Sequence, residues 1–394
     1  MTAGFFFIFF SPSLYTSLEV EGGLPIIASQ SFELFAMSNY LPSAANGVHV
    51  AHFDAPWIVG VDTLQDAGLV SGADDQPPLP DLSLDPTEEP QLLSVINVSA
   101  THSRSFFVTV GAHALGGDGL PLEAGFARDD EGATSPCVTL ILTVAPRCVM
   151  DVCYLPGGTG DFGIHSDIKD VKDGAAERVL RRGAEETARD GVALGRAPCY
   201  MFPLRHGGGG GGGRSSSSSS SAARSDAAAS DCGDDDDATQ FVCSQGVGGA
   251  FTHFFAGTRH ALDFRCDVGT PVVAVADGVV RSVQDANRAS GIHVNNLFQW
   301  NSVQLALDDG NFAEYVHIAA GSVCVAMGER VRAGQQICAS GDVGFCPEPH
   351  LHFCVYASDD KDAPTIPFAL RDSASGEAYV PVAGTLCAQS DDRY

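Results

Sequence analysis

Two histidines one residue apart, His350 and His352, are the residues whose types and spacing most invite chemistry. Side chains two apart on a strand share a face. Both imidazoles would therefore meet a common site while Leu351 and Phe353 turn into a core. Imidazole is the commonest metal ligand, and a pair fixed on one strand suits zinc. Taken alone, H-x-H is weak, and a surface strand with incidental histidines is the better reading. The stretches upstream decide between the two readings.

From Phe241 onward the chain alternates short β-branched and aromatic runs with turn residues. Strands are expected over 260–266, 271–283, 302–307, 312–318, 336–339 and 350–356. Gly269-Thr270-Pro271, Ala276-Asp277-Gly278, Asp308-Asp309-Gly310 and Gly341-Asp342 supply turns between them. Almost no helical periodicity intervenes, so the expected fold class is mainly β, a largely antiparallel sheet domain over 241–385 with a tail over 386–394.

Four blocks in that domain carry a resemblance. They are His260-Ala261-Leu262-Asp263-Phe264; Gly269-Thr270-Pro271-Val272 with Ala276-Asp277-Gly278-Val279-Val280; Glu314-Tyr315-Val316-His317; and Val331-Arg332-Ala333-Gly334-Gln335 running through Ser340-Gly341-Asp342-Val343-Gly344 to His350-Leu351-His352-Phe353. In this order they resemble the lysostaphin/LytM-type zinc endopeptidases, from about Phe241 to at least Val355 and more faintly to Gly384.

The resemblance implies a duplicated-hybrid-motif, barrel-sandwich-like fold and one Zn2+ per catalytic domain. It implies peptide or peptidoglycan as substrate, cross-links or glycine-rich peptides in particular, and an extracytoplasmic setting. Carried over by position, Asp263 and His352 become zinc ligands, and His317 and His350 the catalytic pair. Three protein ligands would leave a position open, as in catalytic zinc sites. His350 would accept a water proton, and His317 would stabilise an oxyanion or steer the leaving group.

The third ligand departs from the family pattern. The usual H-x-x-x-D places both side chains on one strand face, but the residue four before Asp263 is Arg259. His260 lies three before it, on the opposite face of a regular strand unless a bulge re-aims it. His253, in Phe251-Thr252-His253, could instead reach in from the preceding loop, as in one branch of the family. His253 is the favoured third ligand, with His260 the alternative. His293 and His113 read as ordinary histidines.

Two rival readings have weaker support in the residues. Gly328 to Ile337 also resembles the hairpin of lipoyl and biotinyl carriers, yet no lysine occurs between Lys172 and Lys361 to be modified. A zinc-free, catalytically degenerate binding or regulatory module would be expected to have lost ligands, whereas Asp263, His317, His350 and His352 all remain. Neither H-E-x-x-H nor G-x-S-x-G is present.

The rest of the 394-residue chain carries no comparable chemistry. A net charge of -27 argues against nucleic acid and anionic membrane surfaces as partners. No stretch approaches the roughly 18 apolar residues of a spanning helix. Twelve cysteines lack any C-x-x-C pair, so a zinc ribbon is excluded while disulfides and buried thiols both stay open. Residues 1–90 read as irregular, the aromatic run Phe5 to Phe10 being a weak signal segment without a preceding basic residue. Residues 91–150 read as a small β-domain. Residues 151–240 read as a linker, with one amphipathic helix over 167–193 followed by glycine, serine and aspartate runs.

Overall fold

Strict alternation of apolar and polar residues builds the central sheet of the C-terminal domain. Leu262, Phe264, Leu351, Phe353, Ala313, Tyr315, Val303 and Leu305 lie on one face, essentially inaccessible to solvent. The intervening residues, Asp263, His350, His352 and Glu314 among them, take the other face. In the computed structural model this sheet has eight strands. Their spatial order is Arg330–Val331, Gly278–Gln284, Ser302–Leu307, Phe312–Val316, His350–Tyr356, Leu262–Arg265, Gln240–Gln245 and Leu386–Ala388. Every neighbouring pair is antiparallel. The structure describes residues 8–11, 46–51, 91–97, 104–144, 148–156, 163–167, 197–205, 240–249, 251–255, 257–360, 363–373 and 375–388.

A smaller layer closes the apolar face. Strands Pro271–Val273 and Gln336–Ala339 pair antiparallel, and the Tyr315 hydroxyl accepts the Val275 backbone N–H at 2.8 Å to join the layers. The single strand expected over 271–283 is in fact two. The chain leaves the small sheet at Ala274 and enters the large one at Gly278, where a Cβ would stand 2.5 Å from the Ala306 carbonyl oxygen. Only glycine fits that crossing.

Residues 197–205 lie inside the stretch expected to be linker, yet they pack into this core. Tyr200, Phe202 and Leu204 are buried in it, and Cys199–Tyr200 pairs with Ala369–Arg371. Their period-two pattern is only a few residues long, too short to stand out beside the low-complexity run.

The N-terminal strands form a second β-unit. Arg104–Gly111, Thr134–Val144 and Gly125–Arg128 are the antiparallel heart of one sheet, with Gly163–Asp167 and Val48–Ala51 added. A three-stranded sheet of Ile8–Ser11, Gln91–Asn97 and Cys148–Leu155 supplies the opposing layer. Leu93, Val95 and Val152 meet Phe106, Val108 and Leu140 between the two. Strands thus occur on both sides of the expected 91–150. Apart from Asp167, which closes the strand Gly163–Asp167, the expected helix over 167–193 and the glycine, serine and aspartate runs lie outside the described residues, as does Phe5 to Phe7. Among the described residues no disulfide forms, and Cys243, Cys338, Cys354 and Cys387 are buried thiols. No helix among them is long and apolar enough to cross a membrane.

Candidate metal centre and active site

Asp263 and His352 are direct cross-strand partners in the middle of the large sheet. Oδ1 of Asp263 stands 2.8 Å from Nδ1 of His352 and 3.8 Å from Nε2 of His350. His253 arrives from a turn rather than a strand, its Nε2 3.2 Å from both Asp263 Oδ1 and His352 Nδ1. Among the described residues these three side chains form a converging donor group, and all are buried.

The turn carrying His253 is shaped by a residue that pattern reading overlooked. Gln245 ends the first strand, where the register with the neighbouring strand slips. Its Oε1 accepts the backbone N–H groups of Phe251 at 3.1 Å and Thr252 at 2.9 Å. Its Nε2 donates to Asp263 Oδ2 at 2.8 Å. One amide therefore fixes both the carboxylate and the turn. Nδ1 of His253 donates to the Gly246 carbonyl at 3.0 Å, while Nε2 meets Asp263. The signal was available only as a glutamine beside a glycine before the turn.

His260 is elsewhere. It precedes the strand, its Nδ1 lies 2.9 Å from the Thr365 carbonyl oxygen, and its backbone N–H donates to Thr365 Oγ1. No bulge carries it toward Asp263, and it is not part of the converging group. His293 caps a short 3-10 turn, accepting the Asn295 N–H.

His317 and His350 lie beside the cluster, their ring centroids 4.6 Å apart. Alternation from Tyr315, whose side chain is in the core, would send His317 to the core as well. Instead His317 adopts φ 63°, the sole left-handed non-glycine backbone among the described residues. This turns the ring back to the site face, within 6.1 Å of His352. Such a conformation costs on the order of 1–3 kcal/mol. Nδ1 of His317 donates to the Val343 carbonyl at 2.7 Å, and Nδ1 of His350 to the Glu348 carbonyl at 2.8 Å. A carbonyl can only accept, so each neutral ring presents an unprotonated Nε2.

Electrostatics keep Asp263 ionised and disfavour the charged forms of His317 and His352. Burial works to raise the Asp263 pKa, but His253, His350 and His352 together outweigh it and hold the carboxyl well below its usual range. Burial, reinforced by His350 and His352, pushes the His317 imidazole well below its ordinary value. Burial lowers His352 as well, against the opposing pull of Asp263.

The donor set fits zinc. Two imidazole nitrogens and one carboxylate oxygen are a common catalytic zinc triad that leaves a fourth position open. Their separations of 2.8 to 3.2 Å are slightly tighter than the roughly 3.3 Å edge of a tetrahedron with bonds of about 2.0–2.1 Å. With Nδ1 of His253 donating to Gly246, its Nε2 meets Asp263 Oδ1 at 3.2 Å.

The C-terminal domain is similar in sequence to known peptidases. Residues 257–364 match the model described as Peptidase family M23. The glycyl-glycine endopeptidase ALE-1 of Staphylococcus capitis is 37% identical over 98 residues, 25% of this chain and 24% of that protein. Lysostaphin of Staphylococcus staphylolyticus is 34% identical over 98 residues, covering 25% and 18%. The catalytic domain of lysostaphin from Staphylococcus simulans, a solved structure, is 27% identical over 32% of this chain and 84% of that one, with a TM-score of 0.22. The resemblance of the sequence blocks holds: the C-terminal sheet carries a peptidase family M23 match. The chain spans a quarter or less of the curated relatives' own length.

Proposed function

We propose that this chain is a zinc-dependent endopeptidase, with peptidoglycan cross-links or glycine-rich peptides as its substrate class. The observation that carries the reading is the convergence of His253, Asp263 and His352 beside two further histidines whose Nδ1 atoms are held by backbone carbonyls. The names of the relatives, glycyl-glycine endopeptidase and lysostaphin, support the substrate class.

His253, Asp263 and His352 would hold the metal. A zinc ion there supplies a lowered water pKa and polarisation of the scissile carbonyl. The remaining chemistry belongs to the histidines. His350, nearer the donor cluster through its 3.8 Å approach to Asp263, accepts a proton at Nε2. His317 stabilises an oxyanion only if it carries a second proton, which its buried position disfavours. We therefore assign it to steering the leaving amine, with Nδ1 anchored on Val343, while the proton taken by His350 passes on to that amine. Backbone carbonyls on both Nδ1 atoms fix the ring orientations, so little reorganisation is needed as bonds change.

Purified peptidoglycan and oligoglycine peptides should be digested by the zinc-loaded chain and the products mapped by mass spectrometry. New amino termini at cross-bridge or glycine bonds are expected. A protein that contains zinc yet cleaves neither substrate class would overturn the proposal.

A further inference from the structure

The family match begins at residue 257, but the support of the site does not. The N-terminal sheet runs on through Gly125–Arg128 into Ser290–Gly291 and then Gly344–Phe345, so one ladder joins the two halves of the chain. Gly291 lies so close to that ladder that a Cβ would fall 2.2 Å from the Phe126 carbonyl oxygen.

Three contacts across the seam, two from Phe107 and one from Arg128, end on segments that hold site residues. The Phe107 ring stacks on Phe255 at 6.0 Å and meets Phe345 edge-on at 5.9 Å. It thus backs both the turn bearing His253 and the segment leading to His350. Arg128 donates to both carboxylate oxygens of Asp342, at 2.9 and 3.0 Å. The next carbonyl, that of Val343, is the anchor of His317. Buried Thr139 donates to the Ile292 carbonyl at 2.6 Å, and its partner Thr109 accepts the Val294 N–H. Asp130 accepts the backbone N–H groups of Arg288 and Ala289, and Ala289 in turn accepts Gly344 N–H.

We propose that the N-terminal β-unit completes the peptidase site, Phe107 and Arg128 being positioning residues for the His253 turn and for the His317 anchor. This rests on the peptidase reading above. Partners one shell removed from metal ligands typically change metal affinity or activity about 10- to 100-fold when removed. The two contacts should act on different quantities, because they support different residues.

The test uses the full chain. Arg128→Gln should lower kcat about tenfold with KM and zinc affinity near wild type, and should raise amide exchange over 342–348. Phe107→Ala should weaken zinc affinity, read by chelator competition, by about tenfold or more, and Phe107→Leu should restore most of it. A merely structural seam would lower the melting temperature of each variant while leaving kcat, zinc affinity and local exchange of the folded protein unchanged. That result overturns the proposal. If Phe107→Ala does not fold, Arg128→Gln decides, because its ion pair is partly exposed. If the wild type hydrolyses nothing, the peptidase reading fails by itself, and exchange over 251–255 and 342–348 still decides this one.

Discussion

Asp263, His350 and His352 stand on two neighbouring strands in the middle of an eight-stranded sheet, whereas His253 and His317 stand where the backbone has left the ladder. The first three need only strand register. Backbone hydrogen bonds on both sides of each strand fix their Cα positions, and period-two alternation does the rest. The other two depend on particular acceptors: the Gly246 carbonyl for His253 and the Val343 carbonyl for His317. They also need Gln245, a left-handed residue and aromatic backing from Phe107. The sheet half is overdetermined, and the loop half is adjustable. Substitutions in the two halves should accordingly fail in different ways.

The largest effect is expected where register and metal coincide. Asp263→Ala or His352→Ala should abolish stoichiometric zinc and all hydrolysis while the sheet remains folded, since the ladder does not depend on either side chain. Metal analysis of the purified variants checks this. Full zinc occupancy in His352→Ala would remove the residue from the ligand set.

Next come the two histidines outside the triad. His317→Ala and His350→Ala should retain zinc and lose activity by at least about 100-fold, the scale of general acid–base catalysis. Their pairing sharpens the comparison, because His350 is placed by the sheet and His317 by a strained backbone. Replacing His317 removes the ring for which a left-handed conformation is held. His317→Asn, which tolerates that conformation, should therefore be more stable to heat than His317→Ala although equally inactive. A variant that arrives metal-free would make its residue a ligand.

Much of the sheet half was legible in the sequence. The strands over 302–307, 336–339 and 350–356 carry their own alternation, and the structure has them at those bounds. The shared face of His350 and His352 followed from spacing alone. Tyr315 and His317 show the limit of the same rule: equal parity predicts a common face, and one positive φ separates them. Gln245 was illegible because its role is to receive two backbone N–H groups of a turn whose shape no periodicity encodes. The seam with the N-terminal unit was illegible for a related reason. Ser290–Gly291 and Gly344–Phe345 are two-residue strands, too short for any alternation, and pair with residues far away in the chain.

A graded pair tests the loop half. His253→Ala removes a donor outright and should weaken zinc binding severely. Gln245→Leu keeps all three donors but strips Asp263 Oδ2 and the Phe251 and Thr252 N–H groups of their partner. It should weaken zinc about 10- to 100-fold, less than His253→Ala, with stability lower by roughly 1–3 kcal/mol for the buried groups left unpaired. Zinc titration against a chelator, with thermal melts alongside, measures both. Equal zinc affinity in Gln245→Leu and wild type would mean that the turn holds His253 without the amide.

The smallest effect is expected at His260, and it discriminates as well as the largest. Spacing leaves His260 and His253 as competitors for one coordination position, and they differ in what surrounds them. The His253 ring has Nδ1 on the Gly246 carbonyl and Nε2 against Asp263. The His260 ring has Nδ1 on the Thr365 carbonyl, and its backbone N–H meets Thr365 Oγ1. It therefore ties the turn after Gly257 to the segment that bridges Tyr356. His260→Ala deletes the ring's contacts with Thr365, a loss of about 0.5–1.5 kcal/mol per hydrogen bond, and keeps the backbone one. The variant should melt slightly earlier, hold one zinc per chain, and cleave at a rate close to wild type. Loss of zinc in His260→Ala, with zinc retained in His253→Ala, would reverse the assignment and require the strand to bulge in the metal-bound protein.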